Sequence, residues 1–124
     1  MLVVGAGPVG ACAGILLARQ GLRSLLVERA LAPQPAPAAH VVNARTFEIL
    51  RAVGLDMGAI AGACKDPADA GRVRWVTTLV GDELGSLPFE RQGDDVLALT
   101  PTPLRNLSQH RLEPLLLEHL GKQV

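Results

Sequence analysis

A short apolar run, Leu2–Val4, stops at three glycines spaced as GxGxxG: Gly5, Gly7 and Gly10. An apolar run that ends at glycine predicts a buried strand, and Pro8 suits the first turn of a helix, where its missing N–H costs nothing. We expect Gly5 to permit a tight turn and Gly7 to let the backbone approach a pyrophosphate. The helix start then supplies N–H donors and a partial positive charge.

The residues after the glycines complete a strand–helix–strand unit. Residues 8–20 are predicted to form a helix that ends at Gly21, and residues 24–28 to form a second buried strand. Gly14 allows close helix packing, and Glu28, at the end of the second strand, is placed to accept hydrogen bonds from ribose hydroxyls. Its charge disfavours a ribose 2′-phosphate. The alternative is a glycine-rich turn beside a surface glutamate.

Charge and cysteine content narrow the kind of partner. The 124 residues carry 12 basic and 12 acidic side chains with no long block of one sign, a balance that suggests neither nucleic acid nor an anionic membrane surface as partner and favours a small molecule. The first charged side chain is Arg19, but no basic segment precedes the apolar stretch, which argues against a membrane or targeting segment. Cys12 and Cys64 stand apart, which predicts reduced thiols, no zinc site and a cytoplasmic protein.

Two helices are predicted in the middle of the chain. Residues 30–42 contain three prolines and predict a loop. Asn43 is placed to cap a helix over residues 44–53 that stops at Gly54, and residues 55–64 predict a shorter helix.

The character of the sequence changes near Pro67. Residues 73–80 and 84–89 predict a β-hairpin around the turn 81–83, in a sheet of its own. An apolar helix follows residues 108–110, and Pro114 fits only if that helix starts close before it or kinks there. His40, His110 and His119 lack any nucleophile or carboxylate pattern and are taken as surface residues, so we expect no metal site and no catalytic residue.

Four segments occur in the order and at the spacing of a known family: VVGAGPVG, LLVER, NARTFEILRAVGL and LSQHRLEPLL. Together they resemble the class A flavoprotein monooxygenases, the aromatic-ring hydroxylases related to p-hydroxybenzoate hydroxylase and the polyketide hydroxylases. The resemblance implies an α/β fold, an incomplete Rossmann-like βαβ FAD-binding fold with a β-hairpin from the start of a substrate domain. It divides the chain into an FAD-binding part (1–66), the start of a substrate-domain sheet (67–104) and a helix that returns to the FAD-binding domain (105–124).

The resemblance also implies a set of FAD contacts, made by the glycine turn and four later side chains: Gly5, Gly7, Pro8, Val9, Gly10, Glu28, Arg29, Arg45 and Gln109. Glu28 would hold the adenosine ribose, and Arg29 would lie beside the adenosine. Arg45 would contact the ribityl and diphosphate region, and Gln109 would approach the flavin from its helix start.

Each of the later contacts has an alternative. Arg45 could simply pair with Glu48 on an exposed helix, a contact worth only a few tenths of a kcal/mol. Arg29 could be a solvated side chain, and Gln109 a polar residue that serves the backbone of its first helical turn.

In this family the flavin, reduced by NAD(P)H, uses O2 to hydroxylate a small aromatic or polyketide-like substrate, while the protein positions and shields it. The first strand is short and the family's later motifs lie beyond residue 124, so we expect an N-terminal fragment, inactive alone, whose exposed sheet edges favour homo-oligomers. The alternatives are a non-catalytic nucleotide-binding or interaction module, and the NAD-binding Rossmann domain of a dehydrogenase.

Overall fold

A parallel strand–helix–strand unit opens the structure, a computed structural model that describes residues 1–33, 35–36, 38–89 and 92–123. Strand β1 (Leu2–Val4) pairs in parallel with β2 (Leu25–Val27), and helix α1 (Pro8–Arg19) connects them. The predicted Rossmann-like βαβ unit is therefore confirmed. The helix ends one residue before the predicted bound because Gln20 is its C-cap and Gly21 turns the chain at φ 69°.

Two glycines make the turn between β1 and α1 tight. Gly5 has φ 97°, a left-handed conformation that side chains other than glycine rarely adopt. A Cβ on Gly10 would overlap the carbonyl oxygen of Gly5, so the first turn of α1 packs directly against the end of β1. The next nearest group is Leu26 Cδ1, 3.6 Å from the same Cβ position, which places the β2 side chain under the helix.

Helix α2 (Ala44–Ala52) begins where the sequence indicated and ends one residue before the predicted bound, because Val53 is its C-cap. Asn43 Oδ1 accepts a hydrogen bond from the Thr46 N–H at 2.8 Å, and Gly54 follows the helix at φ 84°. Both local signals are therefore confirmed.

Helix α3 (Met57–Ala63) is shorter than the predicted 55–64. Asp56 Oδ1 accepts the N–H groups of Gly58 and Ala59, so the helix cannot begin before residue 57. Leu55 is instead buried in the core.

A two-residue antiparallel pair joins distant parts of the chain. Strand β3 (Val41–Val42) pairs with β6 (Arg105–Asn106), although residues 30–42 were predicted to be loop throughout. A ladder this short has no periodic pattern of its own, and its partner lies more than sixty residues away.

A β-hairpin forms a separate two-stranded sheet, as predicted, but its turn lies elsewhere. The strands are β4 (Arg72–Val76) and β5 (Glu83–Pro88), so residues 77–80 belong to the turn and Glu83 to the second strand. The Thr77 N–H donates to the Asp82 carbonyl and the Gly81 N–H to the Thr78 carbonyl. These turn hydrogen bonds override the β-branched composition that predicted strand.

Helix α4 (Gln109–Gly121) contains Pro114 as its sixth residue. Pro114 is exposed and lies inside the helix, beyond its first turn, so the predicted start close before the proline is not what the structure has, and the missing N–H removes one helical hydrogen bond. Helices α1 and α4 pack tightly, because a Cβ on the buried Gly14 would lie 3.2 Å from Leu120 Cδ2.

The hydrophobic core lies between the four helices rather than around the sheet. Its members are aliphatic apart from one phenylalanine: Ala11, Ile15, Phe47, Leu50, Val53, Leu55, Ile60, Leu107, Leu112 and Leu116. The outer face of the β1–β2 sheet is open, with Leu2 64%, Val4 78% and Leu25 62% exposed. Within the described residues, no helix has the length and apolarity needed to cross a membrane.

The contact between Gly10 and Gly5 predicts a large cost for a single methyl group. We expect Gly10→Ala to lower the free energy of unfolding by about 1–3 kcal/mol, as overpacking of a tight contact does. Urea unfolding followed by far-UV circular dichroism measures the change. Gly62→Ala is the control, since Gly62 is exposed in α3 and a Cβ there meets nothing within 4 Å. Equal stability of the two variants would contradict the tight packing of the turn.

Candidate functional site

A cavity of about 330 Å³ lies at the turn between β1 and α1. We call it the turn cavity, and its lining combines the glycine turn, the segment after β2 and one face of α4: Ala6, Gly7, Glu28, Ala30, Leu31, Ala32, Pro33, Glu113 and Leu117. Its volume is in the range of small-molecule sites, roughly 300–1,000 Å³. The cavity is the candidate site.

The start of α1 adjoins the turn cavity at Gly7 and has free hydrogen-bond donors. Gly7 is the N-cap and provides no side-chain cap, and the first helical hydrogen bond runs from the Ala11 N–H to the Gly7 carbonyl at 2.9 Å. The N–H groups of Val9 and Gly10 therefore have no acceptor within the helix, and Pro8 has no N–H. Together with the helix dipole, these donors favour an anion.

Gly7 itself is open to the site. Its backbone has φ −64°, which any residue adopts, and a Cβ there would lie 3.8 Å from Glu113 Oε1, an ordinary contact. Neither conformation nor packing within the described protein requires glycine at this position. Gly5 and Gly10, in contrast, are required by the turn itself.

The Glu28 carboxylate links the glycine turn to the segment that follows β2. Its Oε2 accepts the Ala6 N–H and its Oε1 the Ala30 N–H, each at 2.8 Å. These backbone hydrogen bonds, that from Ala30 first, lower the pKa of the carboxyl, and the charge of Arg29 adds to the effect. Arg29 is exposed. Glu28 is thus an ionised, fixed acceptor at the end of β2, where the sequence predicted an acceptor.

Gln109 is linked to a residue that sequence reasoning missed. Its Nε2 donates to Glu113 Oε1 at 2.7 Å, and its backbone N–H donates to the Ala39 carbonyl at 2.7 Å. Glu113 is 6% exposed and lines the turn cavity, whereas Gln109 is half-buried one helical turn before it. The available signal was an acidic residue inside the leucine-rich stretch LEPLLL, four residues after Gln109.

Arg45 lies in a different group of residues. Its Nη1 donates to Glu48 Oε2 at 3.0 Å, and Glu48 Oε1 accepts the Thr100 hydroxyl at 2.7 Å. The Thr100 hydrogen bond first, and Arg45 second, lower the pKa of Glu48. The pairing with Glu48 that the sequence offered as an alternative is present, while 77% of the Arg45 side chain stays exposed. Arg45 and Thr100 line a separate cavity of about 440 Å³.

Two histidines are less exposed than predicted. His40 is exposed, but His110 and His119 are half-buried because α4 packs against the other helices. His119 Nε2 lies 3.1 Å from the Val53 carbonyl, which joins α4 to the end of α2. The surface assignment of these two residues was therefore wrong.

Both cysteines are free thiols, as expected. Burial raises the pKa of Cys12 and of Cys64, and the charge of Arg105 only partly opposes it at Cys64. Protonated thiols are poor nucleophiles and poor metal ligands. Neither cysteine lines the turn cavity.

The structure therefore brings Gly7, Glu28 and Glu113 to one cavity. Gln109 reaches it through Glu113, and Arg45 lines another cavity.

The sequence is similar to a known family and to characterised enzymes. Residues 1–123 match the model of the FAD binding domain. The chain is 37% identical over 129 residues to 2,4-dichlorophenol 6-monooxygenase of Delftia acidovorans, an alignment that covers 99% of this chain and 22% of the relative. It is 36% identical over 127 residues to aklavinone 12-hydroxylase RdmE of Streptomyces purpurascens, covering 98% of this chain and 23% of that enzyme.

Solved structures of flavin enzymes have the same fold. The flavin-dependent monooxygenase PieE, in complex with FAD and substrate, superposes with a TM-score of 0.81 at 32% identity. Aklavinone-11 hydroxylase, in a ternary complex with FAD and aklavinone, gives a TM-score of 0.81 at 34% identity. The matches cover 98% of this chain and 22% and 23% of those proteins, so the chain spans less than a quarter of their length. The chain belongs to the FAD-binding domain family of the flavin-dependent aromatic and polyketide hydroxylases.

Proposed function

We propose that this chain is the N-terminal part of an FAD-dependent monooxygenase that hydroxylates a small aromatic or polyketide-like substrate with NAD(P)H and O2, and that the turn cavity binds the nucleotide half of FAD. The names of the relatives, a dichlorophenol monooxygenase and an aklavinone hydroxylase, support the substrate class. The proposed division is an FAD-binding part (1–66), the start of a substrate-domain sheet (67–104) and a helix that returns to the FAD-binding domain (105–124).

The absence of a side chain at Gly7 carries the proposal. Gly7 adopts an ordinary backbone conformation and has room for a Cβ, so the fold gives no reason for glycine there. A pyrophosphate that must approach the backbone N–H groups at the start of α1 does give one. The donors of the helix start fit the anionic centre of FAD, and the Glu28 carboxylate beside them fits a ribose.

The chain's own residues bind and orient. The N–H groups of Val9 and Gly10 would hold the pyrophosphate, and each Glu28 oxygen keeps a free lone pair, beyond its backbone hydrogen bond, for a ribose hydroxyl. Arg29 would lie beside the adenosine, Arg45 would turn from Glu48 toward the diphosphate and ribityl region, and Gln109 would approach the flavin.

Bound FAD would supply the redox chemistry by which a reduced nicotinamide and O2 are used in hydroxylation. Outside FAD binding, we assign no acid–base pair among the described residues. The role that remains for this part of the protein is to fix the position of the cofactor.

The open position at Gly7 predicts a variant that folds normally and binds FAD poorly. We expect the purified chain to bind FAD and Gly7→Ala to weaken binding at least about tenfold, because the added methyl group holds the pyrophosphate away from the N–H donors. The free energy of unfolding should change by less than about 1 kcal/mol, the size of an N-cap effect. Flavin absorbance and fluorescence titration measure affinity, and urea unfolding measures stability. A folded chain that binds NAD, with millimolar FAD unable to displace it, would favour the dehydrogenase alternative.

The charge of Arg45 predicts a second effect on affinity. We expect Arg45→Ala to weaken FAD binding about fivefold or more through loss of a charge-assisted contact to the diphosphate. Arg51→Ala is the matched control, since Arg51 is exposed on the same helix and does not line the cavity of Arg45. Fluorescence titration of FAD measures both. If the two variants bind FAD equally well, Arg45 only pairs with Glu48.

The lowered pKa of Glu28 predicts a dependence of stability on pH. The folded pKa lies below the ordinary value of about 4.3, so the ionised group stabilises the fold above that value, and the contribution is lost as pH falls through the folded pKa. We therefore expect Glu28→Gln to be less stable than the wild type at neutral pH and the difference to shrink below about pH 4.3. Urea unfolding at a series of pH values measures it, and a difference that stays constant down to pH 3 would contradict the assignment.

A further inference from the structure

Glu113 is a buried carboxylate without a charged partner among the described residues. It is 6% exposed, lies on α4 beside the buried Leu112, and takes part in none of the ion pairs of the described part of the chain. Within the described residues, the Glu113 carboxylate accepts a side-chain hydrogen bond from Gln109 Nε2 at 2.7 Å. Glutamate is rarely buried to this extent unless it is paired, because its desolvation is costly.

The pair with Gln109 does not account for this burial. A pair of side chains four residues apart stabilises a helix only slightly. A leucine at position 113 would continue the leucine-rich face of α4 without the cost of desolvating a carboxylate. The carboxylate at position 113 is therefore explained by the cavity that it faces and by the ligand group bound there.

Glu113 faces the turn cavity. Its Oε1 lies 3.8 Å from the position of a Cβ on Gly7, and the residue lines the cavity together with Glu28. The tight packing of Gly14 against Leu120 holds α4 beside α1 and so fixes this position. The cavity thus carries two carboxylates, Glu28 from the end of β2 and Glu113 from α4.

The chemistry of a carboxylate selects the ligand group that it faces. An ionised carboxylate only accepts hydrogen bonds and repels phosphate oxygens. A ligand that places its phosphates at the start of α1 must therefore turn hydroxyl groups toward the two carboxylates. An adenosine ribose has two such hydroxyls.

We propose that Glu113 accepts a hydrogen bond from a hydroxyl of the adenosine ribose, which makes it a second ribose-binding carboxylate beside Glu28. Gln109 is the positioning residue for Glu113, because its amide N–H holds the carboxylate oxygen in place. The inference rests on the proposed function, since it requires a nucleotide in the turn cavity.

Three nucleotides and two matched variants test the contact. ADP, 2′-deoxy-ADP and 3′-deoxy-ADP are titrated by calorimetry into the wild type, Glu113→Gln and Glu118→Gln. Glutamine keeps the size of the side chain and an oxygen for Gln109, but a hydrogen bond to a neutral group is about half as strong as one to a charged group. Glu118 is the control because it lies exposed on the same helix and pairs with Lys122.

We expect Glu113→Gln to weaken the binding of ADP roughly tenfold. The binding of one of the two deoxynucleotides should weaken less than about twofold, because that deoxynucleotide lacks the hydroxyl bound by Glu113. Glu118→Gln should leave all three affinities within about twofold of the wild type. Equal loss for all three nucleotides, or no loss for any, overturns the ribose contact.

A second measurement does not depend on the variant's folding. Should Glu113→Gln prove unfolded by far-UV circular dichroism, the wild type and Glu28→Ala decide. Equal binding of the three nucleotides by the wild type overturns the contact, as does equal binding by Glu28→Ala, whereas weaker binding of a deoxynucleotide that persists in Glu28→Ala supports a hydroxyl contact from Glu113. A folded wild type that binds neither ADP nor FAD overturns the proposed function together with this inference. A wild type that binds FAD, with affinity unaffected by Glu113→Gln for every nucleotide, overturns this inference alone.

Discussion

The contact of Gly10 with the carbonyl of Gly5 is the constraint on which the rest of the site depends. It brings the first turn of α1 against the end of β1, so the free N–H groups of the helix start follow directly after Gly7, which lines the turn cavity. Glu28 adds a second restraint from β2, since its two oxygens hold the backbone at Ala6 and Ala30. In the proposed pyrophosphate site, the first donors would be backbone groups held by packing, and Arg45 would add a charge-assisted contact.

A second close contact, between Gly14 and the Leu120 side chain, extends the site to residues near the end of the sequence. Gly14 of α1 lets Leu120 approach, and α4 then places Glu113 beside Gly7. The acidic character of the cavity thus has two sources far apart in sequence. In the proposed binding mode, a nucleotide would place its phosphates toward the helix start and its hydroxyl groups toward the carboxylates.

Much of the local structure was predictable because its causes are local. Asn43 caps the start of α2, and Gly54 follows the end of α2 in a left-handed conformation. Both signals can be read from a few neighbouring residues. Prediction failed at two other places where composition was given more weight than a short-range hydrogen bond. The hairpin turn moved to residues 77–82 because turn hydrogen bonds outweigh β-branched composition, and Asp56 shortened α3 by capping it.

The sequence by itself determined the strand–helix–strand unit, the glycine turn and the acidic residue at the end of β2, since backbone conformation, helix capping and hydrophobic spacing depend on residues close in the chain. Only the tertiary structure decided that Glu113 faces Gly7, that Thr100 holds Glu48, and that Arg45 lines a cavity separate from that of Glu28. These contacts depend on how α1, α2 and α4 pack against one another. Helix packing is decided by many weak contacts across the core, and no short stretch of sequence contains them.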